Sequence, residues 1–345
     1  MSLLKGSVSF VEYAVSDGHI PEEDMIDKIR AFSFRDIDDK YEEYSAGWVS
    51  VNDMFDSSFN QYPVVGDYVV MSMRMDVRKI PGAMLKKYFE KECRRIMREK
   101  QIPRLSRTVK VEIKGRIKEM LLKDIKPTPS VVDIAWNMET GRVFFMSLTG
   151  QLQKVFVNLF QETFRLNVCP VETYNDDDIH PDQWVNEHRD FLMWLWWASE
   201  TGWLVGIESI RIGNQVVLMA GENGGKVSCS NELLPVEAYA GMAAGKLPVQ
   251  TKMSLERADG GYTFTFASNL LEYKGVKLPK TAQVEGAENN EDEFSGLVLE
   301  RISLIESLVG SMRELFGRFD EIRHGDDWGK TKAQIGEWVA ERAAA

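Results

Sequence analysis

The sequence predicts an α+β fold with mixed, mostly antiparallel sheets and packed helices. Three observations carry that reading. Over the first half, Val-, Met- and aromatic-rich runs interleave with amphipathic stretches. Their order is strand, helix, strand, strand, two helices, strand, strand, helix, strand. Short turns such as Glu139-Thr140-Gly141 join neighbouring runs closely enough for hairpins. The 345 residues are 44% hydrophobic and 28% charged, enough to bury a large core and unlike a disordered chain.

In order, Lys5 to Val15 has strand character. Glu22 to Phe32 reads as a helix opened by Pro21, with acids at its positive end. Ala46 to Val51, around Gly47 and Trp48, and Tyr68 to Val77 read as strands. Gly82 to Lys100 is a helix stopped near Pro103, and Thr108 to Leu122 is another, stopped before Pro127. Val131 to Met138 and Arg142 to Leu148 form a hairpin. Gln151 to Leu166 is an amphipathic helix, and Val168 to Thr173 a further strand. The loose recurrence of a ferredoxin-like half is too weak to make a repeat.

The acidic loop Asn175 to Asp182 marks a boundary. Trp184 to Ser199 follows as an aromatic-rich helix. Strands are expected at Ile207 to Ile212, Gln215 to Ala220, Met253 to Ala258 and Gly261 to Ala267. A short helix lies near Val236 to Ala244, and Gly260-Gly261 is a candidate tight turn. Ala287 to Asp292 is linker-like. Phe294 to Arg323 is the longest helical pattern, and the tail beyond Gly325 is a short helix at best. The expected regions are 1–174 with the basic helices, 175–284 with the aromatic helix and β-rich part, and 285–345 with the acidic linker and C-terminal helices.

Cys93, Cys169 and Cys229 are far apart, odd in number and without a CxxC pair. With no secretory pattern at the start, a reducing cytoplasmic setting is expected. Phe191 to Trp197 is strongly apolar but too short to span a bilayer, so no membrane partner is expected. Its readings are core, protein interface or base-stacking platform.

Charge is strongly segregated. The chain carries a net −11, yet Arg78 to Lys126 holds 17 Lys and Arg against 6 Asp and Glu, about +11. The remainder is therefore about −22. In the first basic helix, Leu85, Phe89, Cys93 and Ile96 form an apolar stripe widened by Met84, Tyr88 and Met97. Lys87, Lys91, Arg94, Arg95 and Arg98 gather opposite, with Lys86 at their edge. In the second, Val109, Ile113, Ile117 and Met120 face a core while Arg107, Lys110, Lys114 and Lys118 share another face. These ten cations are the candidate DNA-binding residues, suited to a phosphate backbone rather than to base edges. Charge alone leaves pairing with an acidic protein surface open, and does not separate RNA, single-stranded DNA and duplex DNA.

No catalytic constellation stands out. Asp176, Asp177, Asp178, His180 and Asp182 match no metal-ligand spacing, and His188 with Asp190 is a lone pair. His19 and His324 stand isolated. Gly221-Glu222-Asn223-Gly224-Gly225-Lys226 lacks the full phosphate-loop spacing and suits a hairpin turn. A metal nuclease needs convergent carboxylates, and Asp36, Asp38 and Asp39 are too many among equals to choose from. No cofactor, metal or catalytic residue is assigned.

The ordered segments resemble RdgC, the bacterial recombination-associated DNA-binding family. They are Ala46-Gly47-Trp48-Val49; Lys79-Ile80-Pro81 entering the charged helix; Leu121-Leu122 and the proline link to the strand with Trp136; Leu159-Phe160, then Pro170 and Val171; Phe191 to Leu195 with Ser199-Glu200; and the long helix Leu297 to Phe316. The likeness covers nearly the whole chain and rests on order, each match being weak alone. It implies an α+β protein that dimerises into a closed ring through which duplex DNA passes. Binding would be non-catalytic and largely sequence-independent, at the nucleoid, with single-stranded DNA as a further ligand. The consequence would be modulation of homologous recombination through interplay with recombinase filaments. A ring would reconcile acidic total charge with a basic lumen. The alternatives are a metal-dependent nuclease and a structural protein that binds an acidic partner.

Overall fold

The computed structural model describes residues 3–15, 20–40, 42–60, 62–171, 181–204, 209–221, 224–230, 236–267, 272–280 and 290–344. The chain is a mixed α+β protein. Its strands are β1 (Val8–Val15), β2 (Tyr44–Val49), β3 (Val64–Val65), β4 (Tyr68–Val77), β5 (Thr128–Asn137), β6 (Arg142–Phe145), β7 (Val168–Pro170), β8 (Ser209–Met219), β9 (Lys226–Ser230), β10 (Leu247–Arg257), β11 (Gly260–Ala267) and β12 (Glu272–Lys277). Its helices are α1 (Glu22–Ala31), α2 (Gly82–Glu99), α3 (Arg107–Asp124), α4 (Gly150–Phe164), α5 (Pro181–Thr201), α6 (Val236–Ala243), α7 (Asn290–His324) and α8 (Trp328–Ala344).

The strands join into one sheet in the order β2-β4-β5-β6-β1-β12-β11-β10-β8-β9, with β3 beside β4 and β7 beside β1. Among the described residues every ladder is antiparallel, and only some of them, such as β5–β6 and β10–β11, join strands linked by a short turn. The seam is β1. Val11 to Ala14 pair with β6, while Val8 and Phe10 pair with β12. One strand thus belongs to both halves of the sheet, and all three sequence regions contribute to one apolar core.

α4, α5 and α7 pack into the sheet's core for readable reasons. α4 sets Phe156, Phe160 and Phe164 on one side, where they meet Tyr13, Phe145, Trp136 and Trp48 ring to ring. α5 is the aromatic helix, and within this chain it is core. Phe191, Trp194 and Trp196 are fully buried, against Phe316, Phe319 and Trp338. α7 supplies Val298, Ile302, Ile305, Leu308, Met312 and Leu315 at helical spacing, so it spans the core lengthwise.

Gly47 has a structural reason to be glycine. The chain at 32–34 lies along β2, with Phe34 N–H donating to Trp48 O (2.9 Å) and Trp48 N–H to Phe32 O (3.0 Å). A Cβ on Gly47 would sit 2.5 Å from the Phe34 backbone.

Several expectations are corrected. The tail beyond Gly325 is no short helix but the 17-residue α8, held because Ile335, Trp338 and Val339 bury into the core. The two strands expected at Ile207 to Ile212 and Gln215 to Ala220 give way to one continuous strand, β8, from Ser209 to Met219. The Gly213-Asn214 break is a bulge, since β10 advances two residues where β8 advances four. Arg257 pairs with Gly260, so the tight turn is Ala258-Asp259, with Gly260 (φ 125°) starting β11. β3, β9 and β12 were not foreseen. Residues 172–180 and 281–289 lie outside the described residues, and with them 175–180 of the acidic loop and 287–289 of the expected linker; Asn290 to Asp292, expected as linker, instead begin α7.

The basic helices stand apart. β4 and β5 form a long hairpin in which Val77 opposes Thr128, and α2 and α3 are its connection. They have a separate small core of Cys93, Ile96, Leu105, Ile113, Ile117 and Leu121. Ile113→Ala is expected to destabilise this arm locally by about 2–5 kcal/mol. Hydrogen exchange should then rise across 82–124 while β4 and β5 stay protected, and equal loss of protection in both would contradict a separate arm core.

Candidate nucleic-acid interface

The charge segregation of the sequence coincides with a structural boundary. The basic block begins at Arg78, one residue past β4, and ends at Lys126, just before β5. The basic block is therefore one inserted arm. Its start and stop signals are local. Pro81 precedes α2, Gln101 in the left-handed region (φ 52°) ends it, and Ser106 caps α3 by accepting from Val109 N–H at 3.3 Å.

The arm is only two helices thick, so its apolar stripes are narrower than expected. Met84 and Met120 are exposed, not core. In α3 the buried line is Ile113, Ile117 and Leu121, with Leu122 buried beside it. Of the apolar face predicted for α2, only Cys93 and Ile96 are fully buried. Burial pushes the Cys93 thiol up, away from reactivity.

Nine of the ten candidate cations are exposed, and Lys118 is half-buried. They are not equivalent. Arg95 lies between Glu92 and Glu99, both at 2.6 Å. Its hydrogen bonds hold the Glu92 carboxyl below the usual range and raise its own guanidinium pKa. Arg94 and Lys86 each come within 4.0 Å of Glu90. Lys118 pairs with Glu43 in the segment before β2, tethering the arm to the body. Among the described residues, Lys87, Lys91, Arg98, Arg107, Lys110 and Lys114 carry no ion pair; Lys87 lies over the Tyr88 ring at 5.7 Å.

Two grooves divide these residues. One, of about 1050 Å³, runs along the charged face of α2 and is lined by Lys86, Lys87, Lys91, Arg94, Arg95 and Arg98 together with Glu90, Glu92 and Glu99. The other, of about 410 Å³, lies between α2 and α3. Leu85, Phe89 and Val111 form its floor; Lys86, Arg107, Lys110 and Lys114 form its rim, and no carboxylate lines it. The sequence stripes gave both helices equal weight. The structure distinguishes them, because the i,i+3 and i,i+4 acids of α2 answer its cations. Lys86, at the edge of the predicted patch, belongs to both grooves.

Arg78 opened the basic block but has no free charge to offer. It is buried and donates to the carbonyls of Ile37 and Asp38 (2.7 Å each), Glu42 (3.2 Å) and Lys40. It clamps the loop 37–42. Arg74 is likewise buried, paired to Asp76 at 2.7 Å.

The other predicted chemistry does not converge. His188 is buried and stacked on Phe316 at 4.8 Å, while Asp190 pairs with Arg323 at 3.4 Å. His19, Asp176, Asp177, Asp178, His180, Glu222 and Asn223 lie outside the described residues, as does the side chain of Asp182. Among the described residues no three His, Cys, Asp or Glu side chains gather as metal ligands. No described helix is long and apolar enough to cross a membrane.

No protein-family model matches the chain, and no curated protein matches it.

Arg78→Met is expected to lower stability by on the order of 3 kcal/mol, because it leaves several carbonyls without their donor. A urea-melt midpoint equal to that of the native protein would contradict the clamp.

Proposed function

We propose that this chain is a non-catalytic, largely sequence-independent DNA-binding protein that modulates homologous recombination, resembling RdgC. The observation that carries the DNA-binding part is the acid-free groove of the arm. Lys86, Arg107, Lys110 and Lys114 rim it without a carboxylate, in a chain whose charge outside the basic block is about −22. Within a strongly acidic protein, a groove lined by cations and no carboxylate favours a polyanion; of its four cations, among the described residues, Lys86 alone also reaches an acid, Glu90 at 4.0 Å. The patch offers four Lys and Arg side chains, groups that contact phosphate oxygens without regard to sequence. The recombination role, the nucleoid location, the interplay with recombinase filaments and a ring-shaped homodimer around duplex DNA rest on the ordered segment resemblance. The competing reading, an acidic protein partner, shares the same charge complementarity. Capture of an acidic protein at low salt without DNA retention would favour it, and magnesium-dependent DNA cleavage would favour a nuclease.

Duplex and single-strand retention across a salt series tests the proposal. Changing Lys86, Arg107, Lys110 and Lys114 to Gln is expected to weaken binding and flatten the log–log salt slope by about 3–4, at roughly 0.9 per duplex phosphate contact. Changing Arg94 and Arg95 to Gln is expected to do much less, since Glu90, Glu92 and Glu99 already engage them. An unaltered slope in the folded fourfold variant would sink the groove assignment. For assembly, the solution mass is expected to be twice the 39.4 kDa of one chain, and a concentration-independent single-chain mass would refute the dimer.

A further inference from the structure

The sheet carries a second feature that the arm does not explain. Outside Arg78 to Lys126 the chain holds 25 Lys and Arg against 47 Asp and Glu, from 42 and 53 in all. The five strands β8 to β12 reverse that balance, with six Lys and Arg against two acids, Glu256 and Glu272. Of the six, Arg257 turns to α7, where it reaches Ser307 and Ser311.

Strand alternation sorts the rest. Thr251, Met253 and Leu255 of β10 are buried, as are Tyr262, Phe264 and Phe266 of β11, so these face the core. Their neighbours point the other way. Arg211 and Lys277 are exposed, and Lys252, Ser254, Thr263 and Thr265 are half-buried. The pairing register aligns them. Arg211 opposes Ser254, Ser254 opposes Thr263, and Thr263 opposes Lys277. This row crosses four strands, about 14 Å, with a cation at each end and hydroxyls between. Lys252, Thr265 and Lys274 form a second row beside it. Lys274 is answered by Glu272 at 2.9 Å and Gln250 at 3.1 Å. Arg211, Lys252 and Lys277 have no ion pair among the described residues.

A polar outer face is ordinary for an antiparallel sheet. A polar face with free cations and one unanswered acid is not what random placement gives where, outside the arm, the chain has nearly two acids per cation. Cations flanked by hydroxyl donors are the groups that hold phosphate oxygens. We infer that the outer face of β8, β10, β11 and β12 is a second phosphate-contact surface for DNA, centred on Arg211, Lys252 and Lys277. This rests on the DNA-binding reading above, and adds a surface far from the arm in sequence.

The test compares the native protein, the fourfold arm variant and a sheet variant, Arg211→Gln, Lys252→Gln and Lys277→Gln, in duplex retention across a salt series. The sheet variant is expected to weaken binding and flatten the salt slope by about 2–3. Native and arm-variant behaviour as predicted, with a folded sheet variant that binds like the native, overturns the sheet surface alone. A weakened sheet variant beside an unaffected arm variant supports the sheet and overturns the arm. No duplex retention by the native protein at low salt overturns both. Lysine acetylation of the native protein gives a readout free of folding effects. Duplex DNA is expected to protect Lys252 and Lys277 while leaving Lys330, paired to Asp327, as reactive as before. Reactivity of Lys252 and Lys277 that bound DNA leaves unchanged overturns the proposal.

Discussion

The architecture depends on β1 serving both halves of the sheet at once. Val11 to Ala14 pair with β6, Tyr13 to Val15 with β7, and Val8 and Phe10 with β12, and among the described residues only this strand makes the two halves one sheet. A buried carboxylate fixes its position. Glu12 receives Arg313 from α7, with Arg142 from β6 at 3.8 Å, so strand, sheet neighbour and long helix are locked by one group. An unpaired charge at that depth would be costly, which makes the three elements interdependent. Phe10, stacked on Tyr273 at 4.7 Å and edge-on to Phe144 at 5.6 Å, packs the same junction from the apolar side. The N-terminal segment is held there too. Leu3 N–H donates to buried Asp133 at 2.6 Å, and Arg301 donates to Gly6 O at 2.8 Å.

Against this interlocked body, the arm is bound by little. Its core is its own, and Lys118 to Glu43 is the ion pair that ties α3 back. The body excludes water from a large apolar interior, so its charges lie where pairing permits. The arm has a small interior and a large surface, and nearly all of its cations meet solvent. Segregation of charge therefore follows from segregation of burial: a thin two-helix unit has room for a dense cationic surface without desolvating it.

Local signals were legible in the sequence where they were self-contained. β4 falls on Tyr68 to Val77 as read, and α2 ends within a residue of its predicted stop, because Pro81 and the loop before Ser106 act locally. The two basic stripes were visible for the same reason. Illegible features required a distant partner. β12 and β9 have mixed polar sequences, and are strands because β11 and β8 offer ladder edges. α8 looked marginal until Trp338 met Trp196 and Tyr239. The rank of the cations was hidden likewise: spacing places Arg107, Lys110 and Lys114 on one face of α3, but only the packing of α3 beside Lys86 makes an acid-free rim.

The arm's point of attachment has a consequence for how such a chain can change over time. Val77 and Thr128 are direct ladder partners, so the hairpin is geometrically closed before the arm begins. Substitutions within the arm's surface need satisfy only a six-residue core and its turn signals. The arm's exposed face can therefore drift in charge and length while the sheet's register, fixed elsewhere, is inherited unchanged.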